Sequence, residues 1–357
     1  MSAAGEAKAT GPVLVTGGAG FIGTNLAARL LDEGRRVLLY DNLSRRGVQR
    51  NLAWLRSRHD GLLQFVEGDV RDAALLRDAV SQASQVFHLA AQVAVTSSLV
   101  DPREDFAVNA LGTLNVLEAA RRRRTPVIFA STNKVYGDLA DVSLELAGDA
   151  YRPRDTGLGA SGIGEARPLD FHTPYGCSKG AADQYVLDYA RSYGLPTCVL
   201  RMSCIYGPHQ MGTEDQGWVA HFLIRALQNQ PIAIYGDGRQ VRDILYVDDA
   251  VQAYVSAYRR IGLVAGRGFN LGGGPSNAVS LVQLIAQIEH VLGRRVALEF
   301  ADWRPGDQRY YVSDISAARR ELALPEPRAW RSGVAALAEW LSTHAAHDMR
   351  QPAEAVS

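Results

Sequence analysis

A chain of 357 residues has the size of roughly two globular domains. Its 47% apolar and 21% charged residues exclude a mostly disordered chain, and 38 Lys+Arg against 38 Asp+Glu leave no basic excess for a nucleic-acid partner. No run of about 18 apolar residues occurs, so no membrane partner is expected. The first ten residues lack the apolar core of a secretory leader, and three cysteines (Cys177, Cys198, Cys204) without a CxxC point away from a disulfide framework or a metal site. The expectation is a cytoplasmic protein.

Residues 1–10 are small and polar and read as a loose tail. From Gly11 short apolar runs alternate with helical patterns: PVLVTGG, an amphipathic stretch from Phe21 to Glu33 stopped by Gly34, then RRVLLYDN, LLQFVEGDV, SQVFHLAA and PVIFAST, with helices near 72–80 and 104–124. Continuous apolar strands between amphipathic helices predict an α/β fold, a Rossmann-like doubly wound parallel sheet. Residues 138–171, rich in Gly, Asp and Pro, read as a loop insertion whose length suggests a cover over the site. A long helix over 174–193 and the strand PTCVLRM follow. The expected division is a nucleotide-binding domain over 11–203, a smaller region over 204–345 that serves mainly to bind substrate and a loose tail over 346–357. The four arginines 121–124 end a predicted helix, where positive charge meets the negative helix end.

The first turn, Thr16-Gly17-Gly18-Ala19-Gly20-Phe21-Ile22-Gly23, lies between a strand and a helix. Gly17, Gly20 and Gly23 permit a tight turn and let backbone approach a pyrophosphate, beside Phe21 and Ile22 at the helix N-terminus. Asp41 ends the second strand, where a carboxylate holds a ribose 2′-hydroxyl and repels a 2′-phosphate. This favours NAD, although Arg45 and Arg46 keep NADP open. Asn42, Ser44 and Arg45 border the same place. Asp69 and Val70 end the third strand and Leu89, Ala90, Ala91 and Gln92 follow the fourth, all expected on the cofactor. His88 reads as a packed core histidine.

Tyr175-Gly176-Cys177-Ser178-Lys179 puts Tyr175 and Lys179 one helical turn apart on one face. An ammonium beside the phenol and a cationic nicotinamide ring are both expected to favour phenolate, lowering the tyrosine pKa and making it an acid/base. The chain has 35 Arg and only three Lys (Lys8, Lys134, Lys179), so the two outside the tail stand where ammonium chemistry matters. Cys177 has no activating neighbour and is not expected to be catalytic.

TGGAGFIG, Asp41, STNKVYG and YGCSK together resemble the extended short-chain dehydrogenase/reductase family of nucleotide-sugar epimerases and dehydratases, across nearly the whole chain. The resemblance implies bound NAD, Thr132 as the hydroxyl partner, Tyr175 as the base with Lys179, and Ser131 near the cofactor. It also implies assembly as a homodimer or homotetramer through the helices at 104–124 and 174–193. The family's 4,6-dehydratases carry Asp-Glu after the threonine; Asn133-Lys134 cannot replace that acid/base pair, which disfavours dehydration. STNKVYGD, LDFHTPYGCSKGAADQYVLDYAR and YGPHQMGTEDQGWVAHF further resemble the CDP-paratose/CDP-tyvelose 2-epimerase group. That implies a CDP-sugar inverted at C2 through a transient 2-keto sugar. A 4-epimerase or a net dehydrogenase on another nucleotide sugar is the alternative, and a catalytically retired NAD sensor is opposed by the intact Thr132, Tyr175 and Lys179. On the substrate side the expected residues are Thr132, Asn133, Lys134, Ser203, Gln216, Gly217, Arg242 and Arg304 for diphosphate, and Asp307 for a ribose hydroxyl. Trp218 is expected to pack, and His209 is a weaker substrate candidate.

Overall fold

The computed structural model describes residues 11–59, 61–304 and 308–348. The expected tail over 1–10, most of the tail over 346–357 and Asp307 lie outside the described residues. The chain begins with β1 (Val13–Thr16), α1 (Phe21–Asp32), β2 (Val37–Asp41), α2 (Val48–Arg58), β3 (Leu63–Glu67), α3 (Ala73–Gln82) and β4 (Gln85–His88). Next come α4 (Val95–Val100), α5 (Pro102–Phe106), a π-helical turn (Ala107–Leu111), α6 (Gly112–Arg121) and β5 (Val127–Thr132). A hairpin, β6 (Leu144–Ala147) and β7 (Ala150–Pro153), and α7 (Thr156–Ser161) precede α8 (Thr173–Tyr193), β8 (Thr197–Met202) and β9 (Cys204–Tyr206). The remainder is α9 (Trp218–Leu227), β10 (Ile232–Tyr235), β11 (Val241–Tyr246), α10 (Val247–Arg259), α11 (Ile261–Val264), β12 (Arg267–Leu271), β13 (Ala278–Ser280), α12 (Leu281–Leu292), β14 (Leu298–Ala301), β15 (Tyr310–Tyr311), α13 (Ser316–Leu322) and α14 (Trp330–Asp348).

The main sheet has seven parallel strands in the order β12-β8-β5-β4-β1-β2-β3, the doubly wound arrangement expected. Alternation along each strand divides the core between the two faces. Val13, Val15, Leu39 and Ile128 pack on one side with α1 and α10; Leu14, Leu38, Val127 and Phe129 pack on the other with α3, α6 and α8. Thr16 pairs with Tyr40 on one side and His88 on the other, so the carboxyl ends of β1, β2 and β4 finish level and open one edge for ligand.

Three expectations meet differences. A division at 203 would cut the main sheet, because β12 pairs with β8 and α10 packs on α1, although both come from the later part of the chain. The smaller lobe is built around β9, β11, α9, α12 and α14. Segment 138–171 is no bare loop: Ala150 and Leu144 pack with Val241, Tyr310 and Val312, and the Tyr151 hydroxyl bonds Asp237 at 2.6 Å. None of its residues lines the main cleft described below. The helix expected over 104–124 is interrupted by the π-helical turn, a device that re-aims side chains and recurs at functional sites. The arginine run behaves as local charge: Arg121 pairs with Glu118, and Arg123 and Arg124 donate to the carbonyls of Ser81 and Gly194.

Candidate active site

A cleft of 520 Å³ opens along the carboxyl edge of the main sheet, a volume suited to a sizeable organic ligand. Gly17, Gly20, Phe21, Ile22 and Gly23 from the first turn line it, with Asp41, Asn42, Ser44 and Arg45 after β2. Asp69 and Val70 after β3, and Leu89 through Gln92 after β4, complete that wall. Gly17 has φ 67°, and a Cβ there would lie 2.7 Å from the Ala90 nitrogen. A Cβ at Gly23 would lie 2.3 Å from the Gly17 carbonyl oxygen. The turn is therefore a backbone cradle at the start of α1, with N–H groups and the helix dipole facing the cleft, which fits a pyrophosphate.

Asp41 accepts the Ala19 N–H at 3.0 Å and the Leu43 N–H at 2.9 Å. Burial raises its pKa, while those N–H groups and the Arg45 charge oppose the rise. Asp69 is pulled well below the carboxylate range by hydrogen bonds from Arg71, against its burial, with Asn42 adding a further bond at 2.8 Å. Arg71, which the sequence reading missed, also pairs with Glu104 and lines the cleft.

Tyr175 and Lys179 are buried at the start of α8, beside the end of β5. The Thr132 side chain favours the ionised form of the Tyr175 phenol, against its burial. Lys179 Nζ donates to the Ala130 carbonyl at 2.6 Å and lies 4.2 Å from the centre of the Phe129 ring. Burial pushes Tyr175 up to about 12 and pulls Lys179 down to about 7. In the protein alone, desolvation of the phenolate outweighs the influence of Thr132. Ser131 is not presented to the cleft by its hydroxyl, which donates to Asp183 on α8 at 2.7 Å. His88 is a packed histidine, bonded to Thr16 at 2.7 Å and Thr113 at 3.0 Å.

On the substrate side Thr132 caps the short 3-10 turn Asn133–Tyr136, its Oγ1 accepting the Lys134 N–H at 3.2 Å. Asn133 is buried with its Oδ1 3.4 Å from Thr132 Oγ1. Lys134 Nζ reaches Gln308 Oε1 at 3.4 Å, and Gln308 in turn donates to the Gly137 carbonyl. Desolvation raises the pKa of the half-buried Cys204 thiol, and the charges of Arg242 and Lys134 oppose the rise. Gln216 lines the cleft, and Gly217 starts α9 at φ 75°, where a Cβ would lie 2.7 Å from Gln210.

Two substrate expectations meet competing partners. The Ser203 hydroxyl is engaged by Asp243, and Arg304 lies over the Tyr235 ring at 3.8 Å while paired with Glu214 at 3.1 Å and Asp215 at 3.6 Å. Both acids lie in the loop that carries Gln216. His209 is enclosed between Trp54 and Trp340, with ring centres 4.1 and 5.1 Å away. Trp218 packs edge-on against Phe222, and Cys177 is an exposed free thiol. Asp105, Asn109, Ser178 and Gln308 were not singled out from sequence, because no motif or spacing marks them.

The arrangement combines a dinucleotide cradle with a buried hydroxyl, phenol and amine. The description "NAD dependent epimerase/dehydratase family" matches residues 13–272. The chain belongs to that family. Its cofactor is NAD, and the glycine cradle and Asp41 fit that cofactor. Among curated relatives, the CDP-paratose 2-epimerase of Salmonella typhi is 40% identical over 93% of this chain and 99% of its own length. A dTDP-glucose 4,6-dehydratase of Xanthomonas campestris pv. campestris is 31% identical, covering 93% of both chains. Among solved structures, the UDP-glucuronic acid 4-epimerase of Bacillus cereus, in complex with UDP-glucuronic acid and NAD, aligns with TM-score 0.80 and 26% identity. That alignment covers 93% of this chain and 99% of the epimerase. The family therefore includes 2-epimerases, 4-epimerases and dehydratases of nucleotide sugars, and the chain is an enzyme of that kind.

Proposed function

We propose that this family member is a 2-epimerase of a CDP-sugar, of the CDP-paratose/CDP-tyvelose type. The observation that carries the reading is the 40% likeness to a CDP-paratose 2-epimerase along almost the full length of both chains. The chemistry after Thr132 supports it: Asn133 and Lys134 cannot act as the acid/base pair that elimination of water requires. NAD, which the glycine turn and Asp41 would hold, would supply reversible hydride chemistry at the sugar carbon. Tyr175 takes the proton of the C2 hydroxyl as the C2 hydride leaves, so that a 2-keto sugar forms. Thr132 orients that oxygen, and the Lys179 charge favours the phenolate. The keto sugar then presents its other face and Tyr175 gives the proton back, so the configuration inverts without net oxidation. Lys134 and Arg242 would hold the sugar nucleotide by its oxygens, with Arg304 exchanging its loop acids for diphosphate.

The test is an NMR time course of purified protein with CDP-paratose and no added NAD. A growing signal set of the C2 epimer, without formation of free NADH, is the expected result. A product changed at C4, or consumption of NAD in proportion to product, overturns it.

We infer two further properties. All three cysteines are free thiols, which suits a reducing compartment and a cytoplasmic protein. Among the described residues no helix is long and apolar enough to cross a membrane. Leu99, Val100, Phe106 and Leu111 are exposed on α4, α5 and the π turn, and Tyr185 on the neighbouring α8. Large apolar side chains on adjoining helices suit a second copy of this chain packed two-fold against the same helices.

A further inference from the structure

The direction of NAD along the cleft follows from strand order. β2 and β3 lie on one side of β1, β4 and β5 on the other. The glycine turn follows β1, Asp41 ends β2, and the end of β5 lies beside the start of α8 with Tyr175 and Lys179. With the pyrophosphate on the turn and a ribose on Asp41, the adenine lies toward β3 and the nicotinamide toward β5.

The segment after β3 is fixed by bonds of its own. The Tyr40 hydroxyl donates to the Asp69 carbonyl at 2.8 Å, and the Asn115 amide on α6 donates to the Val70 carbonyl at 3.0 Å. Arg71 folds back on Asp69: Nε and Nη2 donate to its two carboxylate oxygens at 2.8 and 2.7 Å, a bidentate fork that the planar guanidinium suits. Those bonds hold the Asp69 carboxyl well below the usual carboxylate range, so the pair is charged at neutral pH. The remaining nitrogen, Nη1, donates to Glu104 Oε2 on α5 at 2.6 Å. Asp69, Val70 and Arg71 line the cleft after β3; Glu104 and Val108 line it from α5 and the π turn. One guanidinium thus ties two walls of the same cleft together. All three of its nitrogens are committed to carboxylates, which leaves it no nitrogen for a 2′-phosphate.

We propose that Arg71 is a cofactor-retaining clasp, which holds Asp69 on one wall and Glu104 on the other and so closes the adenine end of the cleft until the Arg71–Glu104 contact opens. A lone ion pair at the surface contributes little, whereas a guanidinium forked on one acid and bonded to a second is held in one geometry. The Arg71 and Glu104 side chains are 39% and 46% exposed, so salt reaches the contact and weakens it.

Enzyme loaded with radiolabelled NAD and chased with excess unlabelled NAD reads the release rate without reference to turnover. Glu104→Gln cuts the crossing and leaves the Asp69 fork in place. Release is expected to quicken about tenfold, with circular dichroism unchanged. Raising the ionic strength from about 0.05 to about 1 M is expected to quicken release in the wild type and to leave Glu104→Gln nearly unmoved, because the variant lacks the pair that salt screens. A folded Glu104→Gln that releases NAD at the wild-type rate overturns the proposal, and so does an equal salt response in both proteins. Should that variant not fold, Arg71→Gln is read the same way. The inference rests on Asp41 as the ribose partner, and Asp41→Ser separates the two. Wild-type NAD content in that variant removes the ribose contact and the direction drawn from it, whereas the salt-sensitive part of the release rate reports the Arg71–Glu104 contact itself.

Discussion

The Asp41 carboxylate reaches back across the glycine turn to the Ala19 N–H and forward to the Leu43 N–H, so its position is set before a ribose meets it. Asp41→Ser removes both that anchor and the negative charge that rejects a 2′-phosphate. NAD retained through purification should fall by about tenfold or more, since a hydrogen bond to a charged group contributes roughly 1.5–3 kcal/mol. NADP should gain relative to NAD because Arg45 remains beside the site; cofactor content measured by chromatography after denaturation reads both changes. Asp41 and the glycines were legible in the chain because backbone geometry needs them at fixed offsets from strand ends. Ser131 and Arg304 were less so. Their partners Asp183 and Glu214 lie 52 and 90 positions away, and no local spacing reports which carboxylate reaches them first.

α1 begins where Gly23 lets the helix touch the preceding turn, 2.3 Å separating the place of a Cβ from the Gly17 carbonyl. Gly23→Ala must push the helix away from that turn. Overpacking of this kind costs about 1–3 kcal/mol, and it also opens the pyrophosphate cradle. A lower Tm together with loss of bound NAD is expected; a variant that keeps wild-type NAD content would show that the helix can retreat without disturbing the cradle. Periodicity located most elements of the main sheet, including the two long helices. It did not show the π turn, because one extra residue in a single turn leaves the apolar stripe on either side almost unchanged. That turn orients Asn109 toward Ser178 and the Gln92 backbone. Nor did it show the β6-β7 hairpin, whose order comes from packing against β11 and β15, strands much later in the chain.

Across the molecule, the large exposed apolar side chains on α4, α5 and α8 set an expectation for assembly. Phe106, 57% exposed, is the natural place to test it. Phe106→Arg should convert a dimer to monomer in analytical ultracentrifugation while leaving the far-ultraviolet circular dichroism unchanged. Wild-type protein that sediments as a monomer at micromolar concentration would remove the two-fold packing. The parallel sheet, the dinucleotide turn, the one-turn spacing of Tyr175 and Lys179 and the absence of the dehydratase acids were determined by the sequence itself, since each follows from periodicity or from residue types at short spacing. The return of α10 and β12 to the first lobe was decided only by the tertiary structure. So were the commitment of Ser131, Ser203 and Arg304 to carboxylates and the contact of Asp105 with Ser178 and Asn109. Those depend on which distant segments share a small volume. In that volume burial raises the pKa of Tyr175 in the protein alone, because the low-dielectric surroundings penalise its charged form.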